Sequence, residues 1–343
     1  MDNLKKKFPD ALKTLLSGQS LTRAEARVAL GAILDGQATE AQVGAFLASL
    51  RVRGETVPEI VGFAQALRER VKHVHIRRRP LLDTCGTGGD DSGTFNISTT
   101  VAFIAAGAGA AVAKHGNRAV SSRSGSADVL EALGVKTDVS PALAARCVEK
   151  AGVGFLFAPN HHPGFARVGP IRRQLGVRTV FNLLGPLANP AGAPRQLLGV
   201  YSVSLVRPVA EALRALGAER AMVVSSRDGL DEMSISGKTV VASLNRGRVT
   251  VSEITPESVG LRRRPLSTLR GGDAKLNAKI LKDVLSGAPG APREASLLNA
   301  SAALQAAGLA RSWRDGLALA AESIDSHRAS GALDALVRIS HGR

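Results

Sequence analysis

Two stretches of this chain concentrate the residue types that handle phosphate. The first, DTCGTGGDDSGTFNIST (83–99), sets Gly86, Gly88, Gly89 and Gly93 between a short apolar segment and a run of Asp, Thr, Asn and Ser. The second, KHGNRAVSSRSGSADVLEALG (114–134), carries Lys114, His115, Gly116, Asn117 and Arg118, then the hydroxyls of Ser121, Ser122, Ser124 and Ser126. Glycine lets a main chain approach a ligand closely. Free N–H groups in a helix's first turn, with the helix dipole behind them, favour an anion. A strand, a glycine loop and a helix starting at about Asn96 or Ser98 therefore make a cradle from backbone, and the loops 114–118 and 121–126 add cation, amide and hydroxyl. Such a set suits a ligand with several phosphate oxygens. Two common phosphate motifs fail the spacing test. G-x-G-x-x-G, read from Gly86 and Gly88, meets Asp91 at its third glycine, and the P-loop spacing of Gly88 and Gly93 meets Thr94 where lysine is needed. The ligand is neither a dinucleotide nor a P-loop triphosphate.

These residues need elements to hold them. A strand over 81–85 leads into the glycines and a helix over 98–108 leads away, followed by a strand over 111–114 and a helix over 127–133 closed by Gly134. Next come a helix over 141–151 and buried strands over 154–158, 196–203 and 221–225. Strand–helix alternation predicts an α/β domain with a largely parallel sheet. Residues 163–185 interrupt it with a basic helix over 166–175, and a loop follows over 182–190. Residues 238–251 read as two strands joined at Asn245-Arg246-Gly247, and 274–339 as helices. Ahead of all this, 1–72 reads as helical. Leu12, Leu15 and Leu16 share a face, Thr22 precedes a helix over 24–34, and apolar residues recur at helical spacing over 41–51 and 57–71, with Pro58 in a first turn.

Composition narrows the class. With 343 residues the chain suits two domains, and its 44% hydrophobic but 3% aromatic content means a core of Ala, Leu and Val. Cys85 and Cys147 lie far apart with no C-x-x-C pair, which fits a reducing compartment and argues against a disulfide framework or a cysteine metal site. The first residues show no signal-peptide pattern, and the longest nearly apolar run, 101–113, falls short of the about 20 residues a membrane span takes. The expectation is a soluble cytoplasmic protein with no membrane partner. The formal charge of +16 is spread through short runs (5–7, 77–79, 262–264) with no interleaved aromatics, and there is one Trp and one Tyr. That supplies stacking platforms for nucleic acid poorly and fits solvated faces or anionic substrates better. His161-His162 has no further ligand at metal spacing nearby, so a helix-entry or loop role is expected.

Four motifs in order carry a resemblance to the anthranilate phosphoribosyltransferase family. They are GTGGD with GTFNIST (86–99), KHGNR…SGSADVLEALG (114–134), FLFAPNHHPGF…IRRQLGVRTVFNLLGPLANP (155–190) and GLDE (229–232). The resemblance extends over nearly the whole chain and includes NASAALQAAGLA (299–310); Asp91 departs from it, standing where the family usually has a small residue. It implies a small helical domain (1–72, joined by 163–185) packed on a larger α/β phosphoribosyl-binding domain (73–162 and 186–343), with a largely parallel central sheet and the active site in the cleft between them. It also implies a homodimer through the helical domains. The implied reaction moves phosphoribose from 5-phosphoribosyl 1-pyrophosphate to the amine of anthranilate, with Mg²⁺ as cofactor. The phosphoribosyl pyrophosphate contacts carried over are Gly86, Gly89, Asp90, Thr94, Asn96, Ile97, Ser98, Thr99, Lys114, His115, Gly116, Asn117, Arg118, Ala119, Val120, Ser121, Ser122 and Ser126. Gly86, Asn117 and Arg172 match the anthranilate contacts, and Ser98, Asp231 and Glu232 the magnesium positions. No residue is assigned as general acid or base, because an aromatic amine attacks as its free base. Pyrimidine nucleoside phosphorylases resemble the same fold but use inorganic phosphate without Mg²⁺; KHGNR and GLDE favour the pyrophosphate substrate. A basic, non-catalytic paralogue that binds nucleic acid is the remaining alternative, and specific nucleic-acid binding is not expected.

Overall fold

The computed structural model describes residues 2–78, 80–90, 92–119 and 123–343, with residues 2–7 by backbone only. Four helices open the chain: α1 (Asp2–Leu16), α2 (Arg23–Leu34), α3 (Glu40–Arg53) and α4 (Val57–Arg68). Their starts are written locally. Thr22 and Glu25 cap each other's backbone N–H groups, as do Thr39 and Gln42, and Pro58 occupies the first turn of α4. Glu59 is buried, and it accepts from the amides of Leu21 and Thr56 and from Arg53, tying the α1–α2 and α3–α4 connections together.

Beyond them the strand–helix alternation is as expected. β1 (Leu81–Gly86), α5 (Ile97–Gly107), β2 (Ala111–Gly116), α6 (Ser126–Ala132), α7 (Pro141–Ala151) and β3 (Val153–Phe157) follow in order. The short α8 (Ala158–His161), α9 (Phe165–Leu175) and α10 (Phe181–Leu184) come next. Then β4 (Arg195–Gly199), α11 (Val206–Ala215), β5 (Arg220–Ser226), β6 (Thr239–Asn245) and β7 (Arg248–Ile254) complete the sheet. α12 (Ala274–Leu285), α13 (Ala291–Ala306), α14 (Trp313–Asp325) and α15 (Arg328–Ser340) end the chain. The sheet order is β3-β2-β1-β4-β5-β6-β7. The first five strands are parallel, and β6 and β7 are antiparallel additions. The β6–β7 turn has positive φ at Arg246 and Gly247, which suits a tight hairpin. One core lies between the sheet and α5, α6 and α12–α15. Another joins α1–α4 to α9, α10, α11 and the opposite sheet face. α9 packs directly on α2 and α3.

Three sequence expectations need correction. β4 ends at Gly199 instead of 203, because the glycine loop takes over its hydrogen bonds: the Thr87 amide donates to Gly199 O and the Tyr201 amide to Thr87 Oγ1. Residues 182–190 are not all loop, since α10 makes one turn there. Lys114, His115 and Gly116 belong to β2, not to a loop, and the Lys114 and His115 side chains are buried. Among the described residues no helix is long and apolar enough to cross a membrane.

Candidate functional site

From β1 the chain moves outward to β2 and β3, then returns to lay β4 and β5 on the other side. β1 and β4 therefore flank a topological switch point, and a crevice opens outside their carboxyl ends. Gly86 and Gly199 pair across it. The turn bearing Asp231 comes down onto this pair so closely that a Cβ on Gly199 would lie 1.5 Å from Asp231 O, and one on Gly86 would lie 2.5 Å from Asp231 Oδ2. Neither position accepts a side chain while that turn stays in place. Gly88 and Gly89 carry φ of +63° and +74°, the left-handed region that lets the loop fold back over the crevice.

Acidic groups occupy the amides of this cradle. Asp231 Oδ2 accepts from the Gly88 amide at 2.8 Å, and Glu232 Oε1 accepts from the Ser98 amide in the first turn of α5 at 3.1 Å. Asn299 on α13 fixes the next residue from behind, since its Oδ1 accepts from Met233 N and its Nδ2 donates to Met233 O, both at 2.9 Å. Burial pushes the Asp231 carboxyl up to about 7, and the charge of Asp90 adds to the effect. Glu232 sits partly accessible at the crevice and is pushed well above the usual carboxylate range, first by desolvation and then by Asp231. Lys114 is the buried cation among these acids. Its Nζ donates to Thr84 O and to Ser98 Oγ, and burial lowers its pKa against the pull of Asp83, Cys85, Glu232 and Asp231. Burial thus suppresses the charge of both carboxyls, and a cation beside them would restore it. Among the described residues no three His, Cys, Asp or Glu side chains close around a metal. Two adjacent carboxylates and the Ser98 hydroxyl, facing a phosphate cradle, are nevertheless the donor set Mg²⁺ prefers, since that ion keeps waters and substrate phosphate oxygens in its shell.

The other site residues lie around this centre. Asn96 donates to Ser124 O and accepts from Asn277 Nδ2 at 2.9 Å, while Thr94 bridges to Arg270. Ile97 is buried at the start of α5, and Thr99 is buried with its hydroxyl unpartnered. Asp90 Oδ1 accepts from the Ser92 amide. Asn117 O receives the Ser126 hydroxyl and the Ala127 amide, which folds the second loop over the start of α6. Gly116 makes room for this, as a Cβ there would stand 2.3 Å from Ser126 Oγ. The Ala119 amide donates to Asp128, and the Arg118 guanidinium pairs with Asp128 and Glu131. Val120, Ser121 and Ser122 lie outside the described residues, as does Asp91.

A different wall runs from β2 to α9. His115 Nδ1 lies 3.1 Å from Gly185 O, and its Nε2 lies 3.2 Å from His162 Nε2. Ring contacts continue from His162 to Phe165 (5.2 Å), from Phe165 to Phe181 (5.5 Å), and from Phe181 to the Arg172 guanidinium (5.5 Å). Arg172 is half-wrapped: its Nη2 reaches Asn182 Oδ1 at 3.5 Å, its Nε is buried without a partner, and burial lowers its pKa. Burial and its histidine neighbours hold His115 well below the usual histidine value, and burial brings His162 down to about 4. Both rings are neutral at ordinary pH. His161 and His162, expected at a helix entry or in a loop, stand at the end of α8 and just after it: His161 Nδ1 lies 2.9 Å from Lys72 O, and His162 joins the 158–165 segment to His115 on β2.

Sequence reasoning missed the supports. Gly199 ends a strand in a plain apolar context, so nothing local marks the close approach of Asp231. Asp83 and Asn189 are buried and bonded to each other, and Asp83 accepts the His115 amide. Asn299 did carry a signal, being a polar residue within the apolar face of a helix.

Comparison with known proteins gives one answer. Residues 9–71 match the helical bundle domain of the glycosyl transferase family, and residues 78–330 match its a/b domain. An anthranilate phosphoribosyltransferase of Anaeromyxobacter dehalogenans is 56% identical over 327 residues, covering 95% of this chain and 97% of its own. The crystal structure of anthranilate phosphoribosyltransferase from Thermus thermophilus superposes with a TM-score of 0.92 at 44% identity, covering 97% of this chain and 99% of that one. The Saccharomyces cerevisiae enzyme in complex with PRPP and Mg superposes with a TM-score of 0.88 at 31% identity, covering 98% of each chain.

Proposed function

This chain belongs to the anthranilate phosphoribosyltransferase family of glycosyl transferases, and from that premise we infer how its own residues divide the work. The enzyme transfers the phosphoribosyl group of 5-phosphoribosyl 1-pyrophosphate to the amine of anthranilate, releasing pyrophosphate, in tryptophan biosynthesis, and it uses Mg²⁺. An N–C1 bond forms as the C1–O bond to pyrophosphate breaks, and positive charge develops at C1. The chain's task is to stabilise the leaving group and to hold the partners in line.

The pyrophosphate substrate lies over Gly86, Gly89, Asp90, Thr94, Asn96, Ile97, Ser98 and Thr99, under the loop formed by residues 114–122 and Ser126. Asp231, Glu232 and Ser98 would hold the magnesium. When bound, the metal supplies positive charge beside the departing pyrophosphate. The Gly88 and Ser98 amides donate to Asp231 and Glu232, so the two carboxylates that would hold the cation sit directly on the phosphate cradle. Arg172 takes the anthranilate carboxylate, with Asn117 and Gly86 beside it. Its buried, unpartnered Nε and its place at the end of a neutral aromatic wall support that role. The histidines are neutral and position the wall; the aromatic amine needs no base. The observation that carries this reading is the Asp231–Glu232 pair delivered to the crevice at the switch point, against the first-turn amide of α5.

Residues 163–185 join 1–72 as one helical domain, supported by the packing of α9 on α2 and α3. The exposed apolar side chains of Leu16, Val52 and Val177 support a homodimer through that domain. Two buried free cysteines support a cytoplasmic setting. The test is an assay of purified protein with anthranilate, phosphoribosyl pyrophosphate and Mg²⁺, following product fluorescence and pyrophosphate release. Turnover that a chelator abolishes is expected. Phosphate-dependent cleavage of pyrimidine nucleosides without metal, and no transfer to anthranilate, would overturn it.

A further inference from the structure

The opposite end of the sheet holds a second concavity that the transfer reaction does not use. A cavity of about 470 Å³ opens between the amino end of β5, the carboxyl end of β6 and the carboxyl end of α13. Met222, Leu244 and Ala306 contribute apolar floor, and Arg220, Arg246 and Arg311 stand around it. β5 runs from Arg220 at this pocket to Ser226 near the carboxylate turn, so the two sites are about 20 Å apart at ~3.3 Å per strand residue.

The charge of this pocket is not balanced by the chain. Arg195, just beside it, is committed: its Nε pairs with Glu219 and its Nη1 donates to Ala307 O, the carbonyl beyond the end of α13. Among the described residues the Arg220, Arg246 and Arg311 side chains make no ion pair or hydrogen bond, and no acidic residue lines the cavity. Arg220 stands beside Arg195 over Gly308. A Cβ on Gly308 would meet Arg195 Nη1 at 3.3 Å and Arg220 Cζ at 3.5 Å. Arg246 is held at the hairpin tip with φ of +50°. Three unpaired guanidinium groups line one partly apolar hollow, and each offers a planar fork suited to phosphate or carboxylate.

We propose that this rear pocket is a second anion site, which takes a small molecule carrying two or more phosphate or carboxylate groups. Its volume is that of a ligand pocket, and its confinement between a hairpin and a helix end favours a compact ligand over a long polyanion.

Inorganic pyrophosphate is the probe, titrated calorimetrically into the full chain in metal-free buffer. The R220Q/R311Q variant should bind one equivalent less than wild type while keeping its kcat/KM for both substrates, with circular dichroism confirming the fold. R246Q, on the exposed hairpin tip, should weaken the same binding event by roughly tenfold, the cost of one charge-assisted contact. Identical isotherms for wild type and the double variant would remove the site. A DNA duplex that binds more tightly than pyrophosphate, and is released by the same substitutions, would overturn the small-ligand reading in favour of a nucleic-acid surface.

Discussion

The two walls of the cleft solve opposite problems. On the side of β1 and α5, acids are crowded together under burial, with the buried cation Lys114 among them. On the side of β2 and α9, the titratable rings are neutral, and Arg172 closes a run of aromatic contacts. The first wall has the chemistry to take a cation together with a polyanion. The second leaves the buried Arg172 Nε without a partner, which suits a carboxylate. A reaction that expels pyrophosphate and admits an aromatic amino acid needs this division: strong charge where the leaving group departs, and a dry, unprotonated surface where a neutral amine attacks.

The largest effect should come from the charged wall. D231N/E232Q should lower kcat on the order of 10³-fold, as expected when charge stabilisation of a leaving group is removed. Circular dichroism should stay native, and the Mg²⁺ response in steady-state turnover should vanish. Stability should move the other way. The Asp231 carboxyl titrates near 7 in the fold and near its ordinary value when unfolded, so it binds a proton more readily folded. Its contribution is present at low pH and is lost as pH rises through about 7 in metal-free protein. Metal-free D231N should therefore melt higher than wild type above that pH, with the gap closing toward pH 4. A folded variant with near-normal turnover would erase the contrast between the walls.

The neutral wall should answer with a smaller and more selective change. R172A should raise KM for anthranilate by about 10- to 100-fold, the loss of one charge-assisted pair of roughly 1.5–3 kcal/mol, and leave KM for phosphoribosyl pyrophosphate nearly unchanged. Equal weakening of both substrates would show that Arg172 belongs to the shared cleft and not to the acceptor.

What could be read beforehand follows the same division. The charged wall is written in two short local signals: the glycines and first-turn hydroxyls of 86–99, which strand–loop–helix logic places, and the Asp231-Glu232 pair. The supports act at long range. Gly199 matters only through the Asp231 turn that settles on it, which no neighbouring residue marks; Asn299 stood out as a polar residue on an apolar helix face, but its partner Met233 lies 66 residues away. Lys114 looked like a loop cation because KHGNR is polar; parallel pairing with β3 buries it, and its charge is tolerated there by the acids around it. The neutral wall was the least visible, since His162, Phe165 and Phe181 meet only after α8, α9 and α10 fold back toward β2.

The smallest expected effect sharpens the claim that this second wall does no proton chemistry. With His115 far below its ordinary value and His162 near 4, both rings are already neutral throughout the working range. A histidine acting as base, or charging near the amine, would bend the pH profile of kcat/KM for anthranilate near the ordinary histidine value of about 6.5. We expect no inflection there, and H162Q should change kcat by less than about threefold. The stability signature has a definite sign. A histidine whose folded pKa is depressed contributes stability that is present above about 6.5 and is lost as pH falls toward 4, because the unfolded chain takes up the proton first. The melting-temperature advantage of wild type over H162Q should therefore shrink between pH 6.5 and pH 4, with shared carboxylate effects cancelling in the difference. An inflection near 6.5 that disappears in H162Q would make the wall a participant in proton transfer, and the division between the two sides of the cleft would fail.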